Sequence, residues 1–339
     1  MSILHKAFVS LVSIVTAFES FAASSMIEVS YSSKTMNGTR KLMVYLPDGY
    51  ANNTVQYPTF YLMHGGGQRY YTWANTNDGN AKAIIDQAIS SGKAKPMIVV
   101  MPDVPDFAPD LFTRELVNDV IPFVEKTYRA KTDKDSRALA GLSWGGLQVL
   151  DAGLYRYDLF GYMGVFSSGW FIGDNVYNVM KTYLAANGSK IQKSMRYLYY
   201  GQGGTGDIAY NNGRETMKVL RDNGITVNYW EHTGAHSFVC WRQDLRDFLP
   251  FLFQYGLTTS LEDEQQAQAI QAYPNPFTES LMIQSNEAFH YQLFSMDGQE
   301  IEVGNGHGQQ AIGNSLGKGI YLLKLETEAA QKSMKVVKR

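Results

Sequence analysis

Residues 137–147 read Arg-Ala-Leu-Ala-Gly-Leu-Ser-Trp-Gly-Gly-Leu. Arg137 to Ala140 has the apolar character of a buried strand, and a helical pattern runs from Leu147 to Tyr155. Between them, Gly141-Leu-Ser143-Trp-Gly145 fits G-x-S-x-G. Small residues on either side of the serine let the backbone turn sharply from strand to helix and lift the hydroxyl clear of a sheet. The helix N-terminus behind it favours a developing negative charge. Isolated, the pattern is weak; between a strand and a helix it predicts a nucleophile.

The same alternation extends in both directions. Apolar strand candidates are 41–46, 59–63, 97–101, 162–166, 196–200 and 227–231, with helical patterns at 81–90, 111–128, 213–223 and 239–253. Nearly continuous apolar strands separated by helices imply an α/β chain with a mostly parallel sheet covered on both faces. Chemistry in such sheets sits beyond the carboxyl ends of the strands.

Those ends supply the other candidates. His236, in the loop HTGAH after the last strand, is the expected general base for Ser143. His232 is its rival, but it falls at the strand end; His64 precedes the serine within a glycine run and is expected to fix that loop. The strand RYLYY runs into GQGGTGD, which places Asp207 where an acid that orients the histidine is needed. The competing role for Asp207 is a helix cap. Asp222 falls inside a helix and Asp174 after the SSGW loop.

Tetrahedral oxyanions need N–H donors. Trp144, directly after the nucleophile, supplies one, and Tyr61-Leu-Met-His-Gly-Gly-Gly67 offers Gly66 as the second. HGGGQRYYT lacks the Gly-Lys-Ser/Thr ending of a phosphate loop, and GQGGTG lacks the following βα unit of a dinucleotide site. No metal-binding motif occurs, so no cofactor or metal is expected. Trp73, after the oxyanion loop, and Trp170, after the strand beside the nucleophile, are expected to line the substrate site; ordinary core packing is the alternative for each.

Composition narrows the class. The chain has 339 residues, 45% hydrophobic and 18% charged, enough apolar side chain for a full core. Thirty basic and 32 acidic residues leave no excess to hold a phosphate backbone, so nucleic acid is not an expected partner. The single cysteine, Cys240, excludes an internal disulfide and is read as a small buried hydrophobe. Aromatic residues reach 13%, which suits stacking on rings or sugars as well as a rich core.

Both ends read as addresses. Residues 1–23 combine Lys6, a short apolar run and small residues, the pattern of a signal peptide; a buried first helix is the alternative. The run is too short to span a bilayer, and no membrane span is expected. A polar stretch, 257–271, reads as a linker after a catalytic domain at 24–256. Short alternating strands with turn residues at 272–339 predict a small β-sandwich.

Two resemblances follow from these residues. YPNPF, MDGQEI and GKGIYLLKLE with the basic KVVKR end resemble the C-terminal sorting domain of the type IX secretion system. That resemblance implies the type IX machinery as partner and export through the periplasm to a secreted or cell-surface location. A β-module that binds a carbohydrate or a partner is the alternative. VYLPDGY, YPTFYLMHGGG, KAKPMIVVMPD, RALAGLSWGG, GTGD and GAHSFVCWRQDLRDFLPFLF resemble the esterase D-like α/β-hydrolases, most of all the feruloyl and acetyl xylan esterases of carbohydrate esterase family 1. This implies an α/β-hydrolase fold, a Ser143–His236–Asp207 triad with Gly66 and Trp144 as oxyanion donors, and ester groups on plant xylan as substrates. Members commonly carry Met after the nucleophile, so Trp144 should reshape the acyl pocket. Other expectations remain open: an esterase for a siderophore or small acyl ester, and a non-catalytic surface binding protein on a hydrolase fold.

Overall fold

The computed structural model describes residues 23–105, 108–254, 270–295, 299–327 and 331–339, in two compact units divided after Tyr255. All but the last residue of the expected signal peptide, and most of the expected linker, lie outside the described residues.

The larger unit is built on an eight-stranded sheet in the order β1-β2-β4-β3-β5-β6-β7-β8. β1 (Ser25–Ser33) and β2 (Gly38–Leu46) pair antiparallel at one edge, and β2 pairs antiparallel with β4 (Ile98–Pro102). From β4 onward the sheet is parallel: β3 (Thr59–Met63), β5 (Arg137–Leu142), β6 (Tyr162–Phe166), β7 (Tyr197–Gly203) and β8 (Asn228–His232). Successive side chains of a strand point to opposite faces, and both faces are covered here. In β3, Tyr61 and Met63 pack in one core with Phe112, Leu116, Val149 and Leu150. Phe60 and Leu62 pack in the other with Ile84, Ile85, Leu245 and Phe248. This is the expected α/β-hydrolase architecture.

Helices α1 (Ala81–Ser90), α4 (Trp144–Tyr155), α6 (Tyr210–Asp222) and α7 (Phe238–Phe248) fall where the sequence places them. The pattern at 111–128 resolves into α2 (Pro109–Glu115), a π-helical turn over Leu116–Val120, and α3 (Ile121–Thr127). Pro122 cannot donate the backbone bond an α-helix would direct to Asn118, and the helix widens there. The sequence reading omits α5 (Asn175–Ser194). Its buried residues Tyr177, Met180, Leu184, Gly188 and Ile191 keep helical spacing, but polar residues and a glycine dilute the signal. Gly188 is needed because a Cβ there would overlap the Asn223 carbonyl.

The smaller unit is a five-stranded antiparallel β domain. The long β10 (Leu281–Ser295) pairs with β9 (Ile270–Tyr273), β11 (Glu300–Ile312) and β12 (Gly319–Thr327), and β12 pairs with β13 (Gln331–Lys338). A register shift between Ser285 and Phe289 breaks the β10–β11 ladder. Alternate residues, among them Ile283, Phe289, Leu293, Leu323 and Leu325, form its core.

Candidate active site

Ser143 occupies the turn between β5 and α4 with φ 50° and ψ −120°, a strained conformation for a residue with a side chain. The turn is held by Ser143 N–H donating to the Phe166 carbonyl at 2.9 Å. Both flanking glycines are sterically required: a Cβ on Gly141 would overlap the Gly145 backbone, and one on Gly145 would overlap the His64 carbonyl. The G-x-S-x-G pattern is therefore a packing requirement of the strained elbow.

The loop between β8 and α7 brings His236 to this serine. Its Nε2 lies 2.9 Å from Ser143 Oγ and its Nδ1 2.8 Å from Asp207 Oδ1. The Trp241 ring stands edge-to-face against the imidazole at 5.0 Å, packing behind it. Asp207 lies in the loop after β7 with its side chain fully buried. Its Oδ1 also accepts from the Ala209 N–H at 2.9 Å, and Oδ2 accepts from the Gly203 N–H at 3.2 Å. Asp207 is not the cap of α6, whose N-cap is Ala209 with no side-chain cap; its carboxylate holds its own loop and faces the histidine. Burial alone would raise its carboxyl. The hydrogen bond from His236 and the surrounding donors outweigh burial and hold it at about 2. An ionised carboxylate here can accept from Nδ1–H, the tautomer that would leave Nε2 as an acceptor facing the Ser143 hydroxyl.

The rival histidine is engaged elsewhere. His232 ends β8, and its Nε2 is 2.8 Å from Oδ1 of the fully buried Asp244, which also accepts from the Tyr199 hydroxyl at 3.1 Å. Burial pushes the Asp244 carboxyl up to about 6. Cys240 is a buried thiol, pushed up to about 12 by burial and then by Asp244, which makes it unreactive as a thiolate. Asp174 caps α5, accepting from the Tyr177 N–H at 2.7 Å.

His64 ties down the glycine loop, as expected. Its Nδ1 is 2.8 Å from the Gly65 carbonyl, and its Nε2 accepts from the Val104 N–H at 2.9 Å. The Gly65 N–H donates to Gln68 Oε1 at 2.9 Å and is thereby committed. Gly66, one residue on, is solvent-exposed. A Cβ on Gly66 would overlap the Trp144 ring, so the two expected oxyanion donors belong to segments in direct contact.

Trp73 requires a correction. It is fully buried, stands edge-to-face against Phe166 and Phe238, and donates its indole N–H to the Met63 carbonyl at 3.0 Å. It belongs to the core and does not rim the site, because an in-core carbonyl satisfies its one polar atom. Trp170 is also buried, 2% exposed, but one side of it faces a cavity that Trp144 also lines.

Ser143 and His236 open into a cavity of about 340 Å³ whose walls include Trp144, Leu147, Phe171, Ile208 and Asn212. Phe171 and Ile208 are exposed large apolar residues, and Phe171 stands edge-to-face with Trp144 at 5.9 Å. Ile208 and Asn212 were not foreseen as site residues. Their one signal was position, next to Asp207 and on the first turn of α6.

Among the described residues, no helix is long and apolar enough to cross a membrane. Residues 33–252 match the family model described as "Putative esterase", and residues 271–339 match "Secretion system C-terminal sorting domain". The tail is thus of the type IX sorting kind and marks the chain for secretion, to the cell surface or beyond. An endo-1,4-β-xylanase/feruloyl esterase of Xylanibacter ruminicola is 30% identical over 243 residues, covering 67% of this chain and 31% of that protein. Endo-1,4-β-xylanase Y of Acetivibrio thermocellus is 30% identical over 241 residues, covering 64% of this chain and 22% of that protein. The chain therefore spans about a third or less of these relatives. Among solved structures, a ferulic acid esterase of the anaerobic fungus Anaeromyces mucronatus, in complex with ferulic acid, superposes with a TM-score of 0.60. It is 25% identical, over 69% of this chain and 93% of that one. A family match that runs unbroken from the antiparallel edge through the serine elbow to the histidine loop shows that this protein belongs to the esterase family of α/β-hydrolases.

Proposed function

We propose that the chain is a secreted serine carboxylic-ester hydrolase that removes feruloyl groups from plant xylan through a Ser143–His236–Asp207 triad. The observation that carries the reading is His236 bridging Ser143 Oγ at 2.9 Å and Asp207 at 2.8 Å. On this reading His236 Nε2 takes the Ser143 proton as Oγ attacks the ester carbonyl. The Trp144 and Gly66 N–H groups hold the tetrahedral oxyanion, aided by the N-terminal end of α4. Collapse releases the alcohol, which receives the proton from His236. Water then repeats the sequence on the acyl-enzyme, and Asp207 keeps the imidazole oriented throughout. Residues 1–23 serve as export leader, 24–256 as catalytic domain, 257–271 as linker and 272–339 as sorting domain for the type IX machinery.

Two features support an aromatic acyl group. Trp144, Leu147 and Phe171 line the space beside Ser143, and the relatives named above include feruloyl esterases. The test is hydrolysis of methyl ferulate by the mature full chain, with 4-nitrophenyl acetate as control. Release of ferulate that disappears in Ser143→Ala is expected. Turnover of the acetate alone would shift the assignment to a deacetylase.

A further inference from the structure

A second cavity, of about 140 Å³, adjoins the first and shares Trp144, Leu147 and Phe171 with it; Pro109, Asp151, Trp170, Asp174, Val176 and Met180 complete its wall. Trp144, Leu147 and Asp151 stand at i, i+3 and i+7 on one face of α4. The cavity therefore follows the helix away from the nucleophile. At 1.5 Å per residue, Ser143 and Asp151 are about 12 Å apart along the axis. Helical side chains lean toward the N-terminus, which draws the Asp151 carboxyl back toward the serine. A ring joined to the ester carbonyl by a short chain spans that distance; an acetyl group covers only its beginning.

Asp151 is out of place in such a wall. Its Oδ2 accepts from the Thr113 hydroxyl at 2.5 Å, and among the described residues no hydrogen bond is recorded to Oδ1. Among the described residues the charge that acts on it is Asp110, which pairs with Arg114; the other carboxylate of the cavity wall, Asp174, caps α5. Burial, then the Thr113 hydroxyl and Asp110, set its ionisation, with the net shift upward. Asp151 is half-buried, and its oxygen without a protein donor leaves an acceptor position that a ligand hydroxyl in the cavity can take.

We propose that Asp151 is a specificity residue that receives the ring hydroxyl of a phenolic acyl group seated against Trp144, Trp170 and Phe171. This rests on the aromatic-ester reading above and adds the group that reads the ring. The alternative role for Asp151 is purely structural, a clasp between α2 and α4 through Thr113.

The experiment compares kcat/KM for methyl 4-hydroxycinnamate, methyl 4-methoxycinnamate and 4-nitrophenyl acetate in the full chain and in Asp151→Leu. The wild type is expected to prefer the hydroxy over the methoxy ester by about 10-fold or more. Asp151→Leu should abolish that preference and leave the acetate within about 2-fold. Asp151→Asn, which keeps the side-chain volume and the bond from Thr113, provides the same comparison should the leucine variant fail to fold. Equal wild-type rates on the two cinnamates would overturn the role of Asp151 while the aromatic-ester reading stands. Equal losses on all three esters in the variants would leave Asp151 a structural clasp. Cleavage of the acetate with neither cinnamate would overturn both.

Discussion

Ser143→Ala is expected to lower kcat by about five to six orders of magnitude while the protein remains folded. Nucleophiles that act as a unit with their base show losses of this size elsewhere. The substitution removes only Oγ, the atom 2.9 Å from His236. Alanine keeps the Cβ and inherits the same strained backbone at φ 50°, so the turn is neither relieved nor burdened. The two glycines that shape the elbow are untouched, and the stability change should be within about 1 kcal/mol. Steady-state rates on 4-nitrophenyl acetate, read beside thermal unfolding, check both halves. A variant that stays within 10-fold of wild type would remove Ser143 from the chemistry.

Asp207→Asn is expected to lose about four orders of magnitude in kcat, by the logic of a buried acid that fixes the tautomer of its histidine. The fully buried carboxylate accepts from His236 Nδ1, Ala209 N–H and Gly203 N–H together. An amide presents one acceptor in place of two and turns a donor toward one of these donors. The ring then loses the partner that holds Nδ1 protonated and Nε2 ready. One unmet backbone donor should also reduce stability by about 1–3 kcal/mol. The pH dependence has a definite sign. The folded carboxyl at about 2 lies below its ordinary 3.8, so its contribution of about 2 kcal/mol is complete above pH 4 and is lost as pH falls toward 2. Stability curves of wild type and Asp207→Asn should therefore converge in acid. A rate loss under 10-fold would point to a different acid.

The parts of this molecule that the sequence announces are those fixed by steric necessity or by chain order. Gly141 and Gly145 are readable because any side chain would collide with backbone, and His236 and Asp207 because their loops follow predictable strand ends. The helix α5 was hidden by polar residues around a sparse buried stripe. Trp73 shows the limit of reasoning from neighbours: it lies six residues after the glycine run ends at Gly67, yet its ring turns inward to a core carbonyl. A position after a loop does not say which way a side chain points. Asp151 was legible in principle, as a lone carboxylate seven residues beyond Trp144 on an otherwise apolar face. Its significance emerges only when Phe171 and Met180, from a different loop and helix, close the other side of the cavity.

The most direct test of catalysis by Ser143 is to trap the acyl-enzyme. The full chain is mixed with excess 4-nitrophenyl acetate, quenched in acid within the first turnovers and digested for peptide mass analysis. One acetyl group on the peptide that contains Ser143, formed together with a burst of nitrophenol near one per chain and absent in Ser143→Ala, is the expected result. Turnover with no acetyl on that peptide, or an acetyl group on a different residue that persists in Ser143→Ala, would contradict a mechanism through Ser143.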